Sequence, residues 1–217
     1  MRPAILIDLD KTLVNVLDYV DYCKALEEVL HYLGRDVVAE VPATYWGRCA
    51  VKTMEVLVGL SGSEEWQRAS DIVEKFEIIG AQKSTPMHGL NEFLGHVEKY
   101  SKKAVVTLLG RRAADAVFKL HNININIAIC RDKRLRPKPY PDQVIEALKI
   151  LNVPPEKAVM VGDSEWDEIA ATSAGVKFIG ITNHRNVHHF KNCVAVVDDL
   201  YGVIEVLRSL FEQETSY

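Results

Sequence analysis

The chain has 217 residues, 48% of them hydrophobic, which suits one large domain or a core domain carrying a smaller insert. A formal net charge of −4 argues against a protein that grips nucleic acid through its overall field. No apolar stretch reaches membrane-spanning length and the N-terminus reads as a strand and not as a signal peptide, so a cytoplasmic protein without a membrane partner is expected.

In chain order, Pro3–Ile7 is an apolar run that predicts a buried strand, and it ends in Asp8-Leu9-Asp10-Lys11-Thr12. From Asp18 to Lys83 no buried strand is expected. Asp18–Leu33, Pro42–Gly59 and Ser63–Glu77 each read as helix, the last with Ser63 at its start. Residues 16–83 thus form an all-helical insert that leaves the sheet beside Asp8 and Asp10 and returns near Pro86. Residues 1–15 and 84–217 form the core. After the insert, Ala104–Leu108, Ile125–Cys130, Ala158–Val161, Val176–Ile181 and Cys193–Val197 read as strands. Arg111–His121, Tyr140–Leu151 and Glu165–Ala174 read as helices between them. This alternation predicts an α/β fold, a Rossmann-like parallel sheet with helices on both faces. Right-handed crossovers place all the strand C-termini along one edge, where such sheets bind ligands. The tail beyond Leu210 is polar and expected to fray. Cys23, Cys49, Cys130 and Cys193 lie far apart without a CxxC pair, and read as small buried hydrophobes in a reducing compartment.

Asp8 and Asp10 sit two residues apart at a strand end, where extended backbone points both side chains the same way. Two like charges placed there call for a cation or for proton chemistry. Thr107, Lys138 and the pair Asp163 and Asp167 also follow strands of the same sheet, hence lie on the same edge. The set suits phosphoryl transfer. A carboxylate can attack phosphorus and split one hard step into two, while a second protonates the leaving oxygen and then activates water. Lys138 and a divalent cation supply the positive charge that anion-on-anion attack needs, Thr107 can donate to a phosphate oxygen, and backbone N–H groups can complete the cradle. An all-oxygen site favours Mg²⁺ over zinc. Asp167 also stands three residues beyond Ser164, the spacing of a helix capping box.

These residues, in this order, resemble the haloacid dehalogenase superfamily, in the phosphatase branch with a helical C1-type cap after the first strand, like the phosphoglycolate phosphatases. The resemblance covers nearly the whole chain. It implies Asp8 as nucleophile, Asp10 as general acid/base, and Thr107, the Leu108 N–H and Lys138 as phosphate binders, with Thr12 in support. It implies Mg²⁺ held by Asp8, the Asp10 carbonyl and Asp163, with Asp167 acting from close by through a water or by holding Lys138. Lys11 stands where the family usually has glycine, and Ile7 replaces the usual Phe. Leu108 stands where Asn is common, so it offers no polar side chain. The expected activity is hydrolysis of a small phosphorylated metabolite through an aspartyl-phosphate. The alternatives are a phosphomutase of the same fold or a non-catalytic protein that binds a phospho-ligand. Arg131, Lys133, Arg134 and Arg136 read as a solvated loop or an attractor of anions. Arg48 and Lys52 share a helical face that can meet a substrate's distal group. His184, His188 and His189 read as surface loop residues.

Overall fold

The computed structural model of the chain describes residues 2–186 and 189–212. Six strands form one parallel sheet in the order β5-β4-β1-β6-β7-β8. They are β1 (Ala4–Ile7), β4 (Lys102–Val106), β5 (Ala128–Ile129), β6 (Ala158–Gly162), β7 (Lys177–Ile181) and β8 (Ala195–Val197). β1 is central, and its last residue, Ile7, lies opposite both Val105 and Val161. That shared register makes Asp8, Thr107 and Asp163 emerge together at one edge.

Both faces of the sheet are covered, which is why its strands are near-continuous apolar runs. Ile5 and Ile7 point into a core shared with α4 (Leu90–Tyr100), α5 (Arg111–Leu120) and α8 (Leu200–Glu212). Ala4 and Leu6 point the other way, toward α6 (Asp142–Leu151) and α7 (Glu165–Ser173). α7 begins with a capping box made by Ser164 and Asp167.

Between β1 and β4 the chain runs through a short 3-10 turn, Leu17–Tyr19, then α1 (Tyr22–Leu33), α2 (Arg48–Gly59) and α3 (Glu65–Ala81). α1 is capped by Asp21, whose carboxylate accepts from the Lys24 N–H at 3.0 Å, and stops at Gly34, where a φ of 65° suits glycine. The three helices bury their own apolar cluster, which includes Met54, Trp66 and Val73 and reaches the core at Trp166. The chain leaves and re-enters the sheet through two short strands, β2 (Val14–Asn15) and β3 (Thr85–Pro86), paired antiparallel.

Several expectations need correction. Cys23 and Cys49 form a disulfide, with Cα atoms 4.9 Å apart, because the first turns of α1 and α2 meet in space although 26 residues separate them in sequence. Cys130 is a buried and Cys193 a half-buried free thiol. α3 starts at Glu65, two residues later than Ser63 and behind Glu64, and no side chain caps it. The strand expected over Ile125–Cys130 shrinks to two residues: Ile123 and Ile125 are buried, as their apolarity demands, but from irregular backbone. α8 runs to Glu212, past the point where fraying was expected, and the tail beyond it lies outside the described residues.

Candidate active site

Asp8 follows β1 directly, and its N–H donates to the Val161 carbonyl at 2.9 Å. Its two carboxylate oxygens have different partners. Lys138 Nζ donates to Oδ1 at 2.6 Å, and the Thr12 hydroxyl to Oδ2 at 3.0 Å. Lys138 is 1% exposed and also donates to Asp167 Oδ1 at 2.5 Å and to the Val106 carbonyl at 3.0 Å. Asp167 Oδ2 in turn accepts from the Ser164 N–H and hydroxyl. Asp167 therefore both caps α7 and holds Lys138, so the two roles raised by its sequence position coexist.

The electrostatics follow from burial. Desolvation pushes the Asp8 carboxyl up to about 7, while the Lys138 ammonium pulls it back and Asp167 adds to the rise. Desolvation also drives Asp163 well above the carboxylate range, reinforced by Asp8 and Asp167 and opposed by the Tyr45 hydroxyl and Arg185. Burial would lower the pKa of Lys138, but Asp167 and Asp8 outweigh it and hold the ammonium above its ordinary value. Carboxylate oxygens of Asp8, Asp163 and Asp167 lie within 4.8 Å of one another, the only such His, Cys, Asp or Glu set among the described residues. Three buried carboxylates face Lys138, with Arg185 Nη1 3.6 Å from Asp163 Oδ2, so they are still short of positive charge, and an all-oxygen donor set fits a hard divalent cation such as Mg²⁺.

Asp10 stands apart from that cluster. Its Oδ1 accepts from the Val16 and Leu17 N–H groups, at 2.8 and 3.0 Å, where the chain enters the helical insert. Burial raises its pKa to about 6, and the two N–H donors limit the rise. Lys11 takes a φ of 63°, a conformation that favours glycine, so a glycine at this position has a backbone reason. Its ammonium pairs with Asp18 at 2.6 Å.

Thr107 is buried, and its hydroxyl accepts from the Leu109 N–H at 3.2 Å. Gln143, which the sequence reading passed over, ties this segment to Lys138. Its amide donates to the Thr107 carbonyl at 3.0 Å, and its carbonyl oxygen accepts from the Lys138 N–H at 3.1 Å. A signal was present: Gln143 lies on the same stripe of α6 as Val144, Ala147 and Leu148, all of them buried.

The helical insert meets the core at two places. Near the crossing strands, Glu77 of α3 accepts from Arg131 Nη1 at 2.7 Å and Nη2 at 3.0 Å, and from the Gly110 N–H at 2.9 Å. One turn earlier, Glu74 accepts from the Arg112 N–H and Nε at 2.6 and 2.7 Å. Two acidic side chains thus sit on the N-terminus of α5, where the helix dipole favours them. Arg131 also donates to the Leu108 carbonyl at 2.6 Å, so it fixes the backbone beside Thr107. At the far end, the connection between α1 and α2 crosses the site. The Trp166 indole donates to the Pro42 carbonyl at 2.9 Å, and Trp46 packs on Trp166 with ring centroids 5.0 Å apart. The Tyr45 hydroxyl donates to Asp163 Oδ2. Arg185 lies over the Tyr45 ring at 3.6 Å and donates to the Asp163 carbonyl at 2.7 Å. Tyr45, Trp46 and Arg185 were not singled out from sequence. An aromatic pair, Tyr45-Trp46, in a connection outside any helix was the available sign.

Of the basic run, Arg131 is buried on Glu77, Arg134 pairs with Asp132 and Arg136 with Asp142, and Lys133 is exposed. Lys52 is engaged by the Val37 carbonyl, Asp36 and Glu55, and does not line the cavity at the strand ends. Arg48 is exposed on an outer rim. His184 and His189 are exposed, as expected, and His188 lies outside the described residues.

A cavity of about 40 Å³ lies between the strand ends and the insert, with Asp8, Asp10, Thr107, Leu108, Lys138 and Asp163 in its lining. That volume is room for about three waters, at roughly 10–15 Å³ each.

A parallel sheet with carboxylates, threonine and lysine gathered on its carboxyl edge is an α/β fold with its candidate site at the strand ends. The family model described as haloacid dehalogenase-like hydrolase matches residues 5–181, and the chain belongs to that family. It is similar to the pyrophosphatase PpaX of Anoxybacillus flavithermus, 26% identical over 185 residues and covering 82% of each chain. Its fold is similar to that of a hydrolase from Pseudomonas syringae, with TM-score 0.71 and 20% identity over 96% of this chain and 99% of the other. It is likewise similar to CbbY from Rhodobacter sphaeroides in complex with phosphate, with TM-score 0.65 and 21% identity over 92% and 95% of the two chains. No helix among the described residues is long and apolar enough to cross a membrane.

Proposed function

We propose that the chain is a Mg²⁺-dependent phosphatase that hydrolyses a small phosphate monoester through an aspartyl-phosphate on Asp8. The observation that carries this reading is the buried constellation of Asp8, Thr12, Lys138, Asp163 and Asp167 at one sheet edge. In the proposed reaction an Asp8 carboxylate oxygen attacks phosphorus as the bond to the leaving oxygen breaks. Asp10 delivers a proton to that oxygen, then takes one from the water that displaces Asp8 from phosphorus. Lys138 and the Thr107 hydroxyl bind phosphoryl oxygens together with the Leu108 N–H. Asp167 keeps the ammonium in place, and Gln143 keeps the Lys138 and Thr107 segments in register. Asp8, Asp163 and the Asp10 carbonyl would hold Mg²⁺, which when bound neutralises charge on the transferring group.

Residues 16–83 act in this reading as a cap that closes over the strand ends and excludes water. The paired crossing strands β2 and β3 are its hinge. Asp10, bonded to the first N–H groups of the insert, couples the acid/base to that hinge. The test is release of inorganic phosphate from a panel of phosphorylated metabolites with Mg²⁺, repeated after exhaustive chelation and with Asp8→Asn. Turnover that needs the metal and disappears in the folded variant supports the reading. Undiminished turnover by the variant would remove Asp8 as nucleophile.

A further inference from the structure

The floor and roof of the cavity differ in kind. Its charged groups come from the strand ends and the turn after β1. Its roof is Leu17, Tyr22, Trp46, Ala50 and Met54 of the insert, with Leu108 at the foot. None of these carries a charge, and the Tyr22 phenol is engaged by Glu77. The one lining cation besides Lys138 is Lys11, whose ammonium is already paired with Asp18 at 2.6 Å. The cations of the insert lie elsewhere: Lys52 is held by Asp36 and Glu55, and Arg48 stands on the outer rim.

We propose that this roof is the leaving-group site. It selects monoesters whose alcohol is small, uncharged and apolar beside the phosphate, and it rejects pyrophosphate and esters with a carboxylate there. The inference rests on the phosphatase reading above, with Asp8 and Lys138 holding the transferred phosphoryl group on the floor. An anion directly behind that group would be stripped of water against the carbons of Leu17, Trp46, Ala50 and Met54, where the one lining cation besides Lys138 is Lys11, held at 2.6 Å by Asp18. An unpaired charge in such a wall is strongly disfavoured. An alkyl group in the same place gains apolar contact. The cavity of about 40 Å³ between floor and roof keeps the alcohol small. Selectivity therefore departs from the activity in the name of the Anoxybacillus relative.

The experiment uses the full chain with Mg²⁺ and an isosteric pair, isobutyl phosphate and phosphoglycolate, with pyrophosphate as third probe. For isobutyl phosphate, the Asp8–phosphorus bond forms as the phosphorus–alkoxide bond breaks, with the proton coming from Asp10. Water then displaces Asp8 and returns a proton to Asp10, leaving isobutanol and inorganic phosphate. The expected result is a kcat/KM for isobutyl phosphate about tenfold or more above either anionic competitor. Met54→Lys, or Ala50→Lys should that variant not fold, should narrow this ratio by raising the anionic substrates. If phosphoglycolate or pyrophosphate ranks level with or above isobutyl phosphate, the inference is overturned while the phosphatase reading stands. An unchanged ratio in a folded lysine variant overturns it too, because the roof would then not be the leaving-group site. If none of these probes nor any metabolite in the panel is hydrolysed by folded, Mg²⁺-loaded protein, the phosphatase reading falls and this inference with it.

Discussion

Glu77→Gln is the sharpest test of how the insert is anchored. Glu77 is fully buried, and among the described residues its carboxylate is the one anion hydrogen-bonded to Arg131, whose side chain is 1% exposed. The substitution keeps the shape but leaves Arg131 with neutral acceptors alone: the Ser70 hydroxyl and carbonyl and the Leu108 carbonyl. Removing one partner of a buried ion pair costs about 3–5 kcal/mol. For a chain of this length that corresponds to a fall in Tm of roughly 6–20 °C. Urea unfolding at constant m gives the free energy directly. The double variant Glu77→Leu with Arg131→Met should lose less than Glu77→Gln alone, because apolar replacement removes the stranded charge. A loss under about 1 kcal/mol for the single change, or a double variant as unstable as the sum of the two singles, would refute the reasoning.

The remaining predictions concern the far contact, the Ser84–His121 pair and the disulfide. Tyr45→Phe frees Asp163 Oδ2 from a hydroxyl donor and should raise Mg²⁺ affinity roughly tenfold, about 1.4 kcal/mol, by titration calorimetry; unchanged or weaker binding would contradict the assignment of Asp163 to the metal. Beside β3, His121 Nε2 lies 2.8 Å from the Ser84 hydroxyl, and burial lowers its pKa from the ordinary 6.5. The unfolded chain then binds that proton more readily than the fold, so this contribution is full above pH 6.5 and is lost as pH falls below it. His121→Gln should flatten the slope of Tm against pH in that window, and an identical slope would exclude the linkage. The disulfide Cys23–Cys49 closes 26 residues of separation, which the chain-entropy relation values at about 3.5 kcal/mol. Cys23→Ser with Cys49→Ser should lower stability by that order in urea, and equal midpoints would rule it out.

Much of the fold was legible because its signals are local. The apolar runs that became β1, β4 and β6 fixed a central parallel sheet, and the polar residue after each marked one edge. Asp8, Thr107, Lys138 and Asp163 could be placed together from chain order alone, since parallel strands all end on the same side. What stayed hidden depends on partners distant in sequence. Arg131 reads as one more basic loop residue until α3 brings Glu77 against it. Cys23 and Cys49 read as unrelated until α1 and α2 pack with their first turns together. Tyr45 reaches Asp163 across 118 residues, from a connection with no secondary structure of its own to carry a pattern. Spacing read Asp8 and Asp10 as pointing the same way, yet the Asp10 carboxylate turns to Val16 and Leu17, because the chain bends away directly after β1.

The central claim is that Asp8 becomes phosphorylated during turnover. Acid quench during turnover of the best ester, followed by borohydride reduction and peptide mass analysis, tests it directly. The account predicts that the peptide containing Asp8 carries the reduced product of an acyl phosphate, and that Asp8→Asn yields none. Turnover with no modified carboxylate, or modification at Asp10, Asp163 or Asp167 in place of Asp8, would contradict it.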